Sequence, residues 1–372
     1  MFRCLLLAAL ILLPVNALAD RPPAVVPRDA ATVIERLPRG YAALVPVASN
    51  RPVPMAQVQR LLATAARSGD ARLAARAAGL LDRFPATDHS PELLRARAYT
   101  AQHRHDFLSA LKLLDTLVSS QPRDGDARLS RAQIHLVQGR LDLARADCAA
   151  LAFGVDSGRA LLCVAALSLR TGELPAATTT ADRWLGQAAV GDDARRYVLV
   201  MRAEIASRAG AADADTWFGR ALALAPDDVR TLAAYSRHLR GAGRNADALR
   251  LLANAPNSDG LQLERTLAAH AGHAPEAAAL ALAQARRYQL AHALGSQPEM
   301  RDEAEFLLSV RGDALAALAL AQKNFEQQRD FEDVGLLQRA ALAAKRPEAL
   351  DNLRVWAASQ HLPLAPDPGV RK

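Results

Sequence analysis

Three short clusters in the chain hold residue types that do chemistry. His103-Arg-His105-Asp106 and His270-Ala-Gly-His273 offer imidazoles and a carboxylate of the kind that bind zinc. Ser109-Ala-Leu-Lys112 has the serine–lysine spacing with which some penicillin-binding enzymes set a nucleophile beside its base. Cys148 and Cys163 are the only thiols apart from Cys4. Residue type alone is not enough. Two histidines two apart on a helix point to different faces, and no third ligand stands at a fitting distance, so both clusters read as exposed turn residues and no metal is expected. Ser109 and Lys112 lack the Ser-Asp-Asn and Lys-Thr-Gly partners of those enzymes, and their pairing reads as chance. No zinc-protease HExxH, phosphate-binding GxxxxGK or Gly-x-Ser-x-Gly segment occurs. The expectation is a non-enzymatic protein without a cofactor.

The elements that must position these residues are helices. The chain is rich in alanine and leucine, only 4% aromatic and almost free of β-branched runs, and Ala and Leu lose least on entering a helix. In ADTWFGRALALAPDD, Ala214, Phe218, Ala221 and Pro226 follow one another at intervals of four, three and five. Alanines in comparable settings, each preceded by a turn residue, stand at Ala74, Ala110, Ala144, Ala177, Ala214, Ala248, Ala277, Ala317 and Ala349. Their mean spacing is about 34 residues, the period of a two-helix repeat. Antiparallel helices approach closely only where Ala or Gly faces the neighbour; a large apolar residue one turn on fills the gap, and proline ends the helix. Gly139, Gly172, Gly210, Gly243, Gly272 and Gly312 are expected at the hairpin turns.

This pattern resembles the tetratricopeptide repeat (TPR) family, whose motif has small residues at its eighth, twentieth and twenty-seventh positions, a large one at the twenty-fourth and proline at the thirty-second. The segment from Ala214 meets its second half throughout, whereas the units around Ala277 and Ala317 lack the aromatic and the proline. The fold class expected is all-α: a right-handed α-solenoid of about eight or nine stacked helix-turn-helix repeats over residues 55–361.

Residues 1–19 read as a cleaved signal peptide: Arg3, an apolar run over residues 5–13, a proline, then Ala17-Leu18-Ala19. Cys4 precedes the apolar run, which is not where a lipoprotein carries its modified cysteine. Residues 20–54 hold seven of the twenty prolines and read as an extended arm, either a spacer or a wrap over the first repeat, or else a docking segment. Residues 362–372 form a short polar tail. No later run is apolar enough for a second membrane span, so an exported protein, periplasmic or secreted, is expected. The net charge of +7 comes almost wholly from arginine. Basic and acidic residues alternate without forming runs, which reads as solvated surface and not as a nucleic-acid face. In an oxidising compartment Cys148 and Cys163, placed across one inter-repeat seam, either bridge or remain two buried thiols.

Such a solenoid presents a concave face lined by the first helix of each pair. The resemblance implies that this groove holds peptides or partner segments. Its contact positions fall on Arg159, Leu162, Ala166, Leu169 and Arg170 in the fourth unit, and on Tyr197, Val200, Glu204, Ser207 and Arg208 in the fifth. In the sixth they fall on Arg230, Ala233, Arg237, Arg240 and Gly241. Arg230, Arg237 and Arg240 form one stripe. With Arg170 and Arg208 they predict a positive groove for an acidic partner segment. Two other readings stand beside this one: an accessory scaffold of an envelope polymer synthesis or export system, and an envelope hydrolase whose mark would be converging carboxylates of perturbed pKa.

Overall fold

The computed structural model describes residues 53–187, 191–293, 295 and 298–362. The residues read as a signal peptide, nearly all of the proline-rich segment and the tail beyond Leu362 lie outside the described residues. Within them the chain forms nine helical hairpins. α1 (Met55–Ser68) pairs with α2 (Ala71–Leu81), α3 (Pro91–His103) with α4 (Phe107–Ser120), and α5 (Gly125–Val137) with α6 (Leu141–Ala150). α7 (Ser157–Thr171) pairs with α8 (Leu174–Leu185), α9 (Asp192–Arg208) with α10 (Ala214–Leu224), and α11 (Val229–Gly241) with α12 (Asn245–Leu252). α13 (Asp259–Ala271) pairs with α14 (Ala277–Ala293), α15 (Met300–Phe306) with α16 (Ala314–Gln327), and α17 (Phe331–Ala343) with α18 (Asp351–Ser359). The fold is an all-α solenoid. No helix among the described residues is long and apolar enough to cross a membrane.

Small residues set the spacing of these helices. Ala74, Ala110, Ala144, Ala177, Ala214, Ala248 and Ala317 are all exposed by 5% or less. Leucine and aromatic side chains close the remaining gaps, as where Phe218 stacks on Tyr235 of the next unit with ring centroids 4.8 Å apart. The other two alanines depart from the expected role. Ala277 is the first residue of α14 and Ala349 sits in a short 3₁₀ turn, Pro347–Leu350, and both are only half-buried. α14 is correspondingly loose: Gln284 is the one residue it buries among those described.

Turns and caps follow local chemistry. Gly139, Gly172, Gly210, Gly243 and Gly312 adopt left-handed backbone at hairpin turns, as does His105 in the second unit. At the seventh, Gly272 has an ordinary φ of −89° and His273 takes the left-handed position. Histidine tolerates that region better than most residues, which accounts for two of the histidines that resembled metal ligands. Aspartates cap the helix starts, and two of these caps also join neighbouring units: Arg95 holds the buried Asp124 at 2.6 Å, and Arg196 holds the buried Asp228. Part of the charge alternation that reads as solvated surface is therefore inter-unit structure.

Cys148 of α6 and Cys163 of α7 are joined in a disulfide, with Cα atoms 5.3 Å apart. Of the two states the sequence leaves open, the bridged one is found.

The solenoid comes round far enough for its last units to touch earlier ones. The Arg329 backbone N–H donates to the Val137 carbonyl at 2.7 Å, and its guanidinium donates to the Gln138 carbonyl at 3.2 Å. The Trp356 indole N–H donates to the Gly139 carbonyl at 3.1 Å, and the Leu141 N–H donates to the Gln360 side chain at 3.1 Å. His105 reaches Glu299 at 3.5 Å. A Cβ placed on Gly139 would lie 2.7 Å from the Trp356 ring, whereas one on Gly243, of similar positive φ, would meet nothing within 4 Å.

That contrast yields a controlled test. Gly139→Ala and Gly243→Ala both carry the left-handed backbone cost of about 1 kcal/mol, but only Gly139→Ala should displace the C-terminal hairpin. The expected result is a larger radius of gyration in small-angle X-ray scattering for Gly139→Ala alone, with helicity by circular dichroism equal in the two. Equal scattering would show that the contact does not hold the solenoid closed.

Candidate functional site

The closure creates a chamber. A cavity of about 380 Å³ lies on the concave side, walled by α7, α9, α11, α13 and the starts of α15 and α17. Each wall is the first helix of its hairpin. That follows from the stacking, since second helices form the outer layer and first helices the inner one.

Of the side chains expected to bind a partner, Arg170, Tyr197, Glu204, Arg230 and Arg237 line this cavity, together with Ala166, Leu169, Val200 and Ala233. Arg208 stands at its edge, its guanidinium 3.9 Å from the centre of the Phe331 ring. Arg240 points to Glu264, with Nε 3.0 Å from the carboxylate. Arg159 is elsewhere, paired with Asp126 and Asp156. Sequence reasoning missed the far wall: Glu264 from α13, Arg301 and Asp302 from α15, Asp330 and Glu332 at the start of α17. The run Glu299-Met-Arg-Asp-Glu and the acidic Asp330-Phe-Glu-Asp333 are visible as charged helix starts, but nothing local shows which unit they will face.

The far wall changes the electrostatics. Arg170 pairs with Asp330: Nη2 donates to Oδ2 at 2.8 Å, and Nε lies 2.7 Å from Oδ1 without the alignment of a hydrogen bond. Glu264 receives Arg237 at 3.4 Å and Arg240 at 3.0 Å. Arg301 lies 3.7 Å from Asp333 and 3.9 Å from Asp302. The positive groove read from three first helices is thus matched by carboxylates of the last three units. Its arginines sit in a mixed-charge chamber, not on a basic face.

Three charged side chains in it stay without an oppositely charged partner in ion-pair range. Arg230 is exposed to solvent and meets the Tyr197 ring, 4.9 Å from its centroid, with the Glu204 charge near enough to favour its own. Glu204 and the exposed Glu332 form no salt bridge among the described residues, but the charges of Arg237 and Arg170 act on both. Burial, and then the nearby charge of Glu332, push the Glu204 carboxyl above its ordinary range. Burial would lift Glu332 as well, but Arg237, Arg301 and Arg170 outweigh it and hold it low. Burial pushes Asp302 and Asp333 each up to about 6, against the pull of Arg301. Burial opposes the charge on Arg170 and Arg237, yet Asp330 for the first and Glu264 for the second keep both firmly protonated.

No group of three His, Cys, Asp or Glu side chains among the described residues is placed to hold a metal ion. His105 stacks on Phe107 beside Glu299, and His292 pairs with Glu303. Ser109 lies on α4, its backbone N–H held by the Asp106 side chain.

No family model matches the chain, and no curated protein matches it. Among solved structures it is similar to the TPR domain of P58(IPK), at 15% identity, with a TM-score of 0.26, over 82% of this chain and 92% of that one.

The raised Asp302 carboxyl has a readable consequence. A carboxyl whose folded pKa lies above its unfolded one contributes stability that is present at low pH and lost as pH rises through the folded value. Here that window runs from 3.8 to about 6. Asp302→Asn cannot titrate, so its stability relative to the parent should rise across that window and level off above it. Urea midpoints at a series of pH values read this, and a pH-independent difference would place Asp302 in ordinary solvent.

Proposed function

We propose that the chain is an exported, non-enzymatic interaction module that takes a short segment of a partner protein into the chamber on its concave face. The observation that carries this is the convergence of Arg170, Tyr197, Glu204, Arg230 and Arg237, from three separate hairpins, on one cavity. Residues far apart in sequence that line a single concave surface are what a solenoid offers a ligand. Export is supported by the basic and apolar order of residues 1–19. A disulfide between the two remaining cysteines suits an oxidising compartment, periplasmic or extracellular.

An acidic partner segment reaches Arg170 and Arg237 by exchanging with Asp330 and Glu264. Such binding weakens with salt, because salt screens the attraction that draws an acidic segment to partly exposed arginines. The experiment is a pull-down from envelope extract with the exported chain, its Arg170→Glu/Arg237→Glu variant and Arg250→Glu as a control. Arg250 is 74% exposed and lies on α12, outside the chamber. The expected outcome is a partner lost from the chamber variant and kept by the control, at equal helicity. A partner kept by both would move the site off the concave face.

One observation favours a second reading, a hydrolase of envelope glycan. Glu204 and Glu332 face the same cavity with pKa values pushed in opposite directions, as a general acid and an ionised carboxylate require. On this reading Glu204→Gln abolishes release of reducing ends from isolated envelope glycan. Absence of such release by the parent chain would dismiss it.

A further inference from the structure

The outer layer of the solenoid has one face unlike its neighbours. On α6 and α12 that layer carries ion pairs within the helix, Asp142 with Arg145 and Asp247 with Arg250. α14 instead opens with AAALALAQA, residues 277–285, nine positions without a charge. Gln284 alone among them is buried, and Ala278, Ala279, Leu282 and Ala283 are exposed, Leu282 by 54%. Positions 275, 279, 282, 286 and 289 fall three or four apart, so they share one stripe, on the side of the helix opposite Gln284.

The short helix that follows explains why this face is bare. α15 has only seven residues and meets α14 near its end, where Tyr288 packs on Phe306 and His292 pairs with Glu303. The first half of α14 is left without cover from the next hairpin among the described residues. Two charges bound the bare face. Glu276, whose carbonyl accepts from the Leu280 N–H, precedes the helix, and Arg286 follows the apolar run. Both are exposed, and neither makes an ion pair among the described residues. The adjoining Arg287 is already tied to Asp259 at 2.6 Å.

We infer that this face pairs with the same face of a second copy of the chain, the two α14 helices running antiparallel about a two-fold axis. One register satisfies both its shape and its charge. When Leu282 of each copy sits on the small Ala279 of the other, large meets small and the helices approach closely. The same register sets Arg286 of each copy beside Glu276 of the other, because both pairs are centred at the level of Leu280 and Ala281. The face is therefore its own complement, with an acid at one end and a base at the other in the order that an antiparallel copy requires. The carboxylate also stands at a helix start, where negative charge is favoured.

A single helix pair is smaller than a standard interface, so the dimer is expected to be weak, with a dissociation constant on the order of micromolar. α14 belongs to the outer layer, which leaves the concave chamber of each copy free. The inference is thus independent of the partner-segment proposal.

The experiment is sedimentation velocity of the chain from Asp20 onward, over about 1–200 µM. A monomer–dimer equilibrium is expected. Leu282→Glu, Glu276→Arg and Arg286→Glu should each weaken it by at least about tenfold, since the two-fold axis repeats every change. All three side chains are exposed, so helicity should be unchanged. Mixing the Glu276→Arg and Arg286→Glu chains should restore a dimer that neither forms alone, because each then meets an opposite charge at both ends. No recovery on mixing would overturn the antiparallel register, and a dimer indifferent to all three substitutions would place the contact on another face. A monomer at every concentration would overturn the dimer itself. Dimerisation that begins only when residues 20–52 are removed would overturn it in favour of the chain's own arm as the cover.

Discussion

Everything in this molecule depends on how closely neighbouring helices can approach. Seven nearly inaccessible alanines hold that distance short, and a solenoid turns a short, repeated distance into curvature. Curvature accumulates from unit to unit until α17 lies beside the ends of α7 and α9. The Arg170–Asp330 pair, whose partners are 160 residues apart in sequence, is the product of that accumulation. Without the alanines there is no chamber, because no single hairpin contains more than a strip of its wall.

The chamber also shows why mixed charge suits an enclosed concave face. A row of arginines on adjoining helices repels itself as solvent is excluded, and the cost rises as the dielectric falls. Carboxylates arriving from the far side relieve this, closely at Arg170, where Nη2 donates to Asp330, and more loosely at Arg301. The result is a wall in which some charges are fixed structural pairs and others, Arg230, Glu204 and Glu332, are balanced at longer range by several neighbours at once.

Much of the fold was legible in the sequence, because a helical period is a local signal. The alanine spacing located seven of the packing positions, and the first-helix register placed Tyr197, Glu204, Arg230 and Arg237 on the inner face. The seventh and ninth units escaped it: at Ala277 and Ala349 the spacing matched, but the helix starts too late or gives way to a 3₁₀ turn. Half of the chamber was also hidden. Arg301, Asp302, Asp330 and Glu332 occupy helix starts whose position in space follows from small rotations summed over several units, and no pattern within a unit encodes that sum. For the same reason a basic stripe on α11 gave no sign that acids would come to meet it. The thiols lay between these cases: spacing made Cys148 and Cys163 neighbours, and only the 5.3 Å approach of their Cα atoms decided that they are joined.

The disulfide has a mechanical meaning as well. It crosses from α6 to α7, the seam immediately after the turn at Gly139 that receives Trp356. A solenoid under load behaves as a spring whose coils separate at their weakest junctions, and a covalent rivet removes one junction from that set. The third and fourth hairpins must then travel as one rigid block, so any pull on the ends is borne by the polar contacts of Arg329, Trp356 and Gln360 before it reaches the seam they rest on.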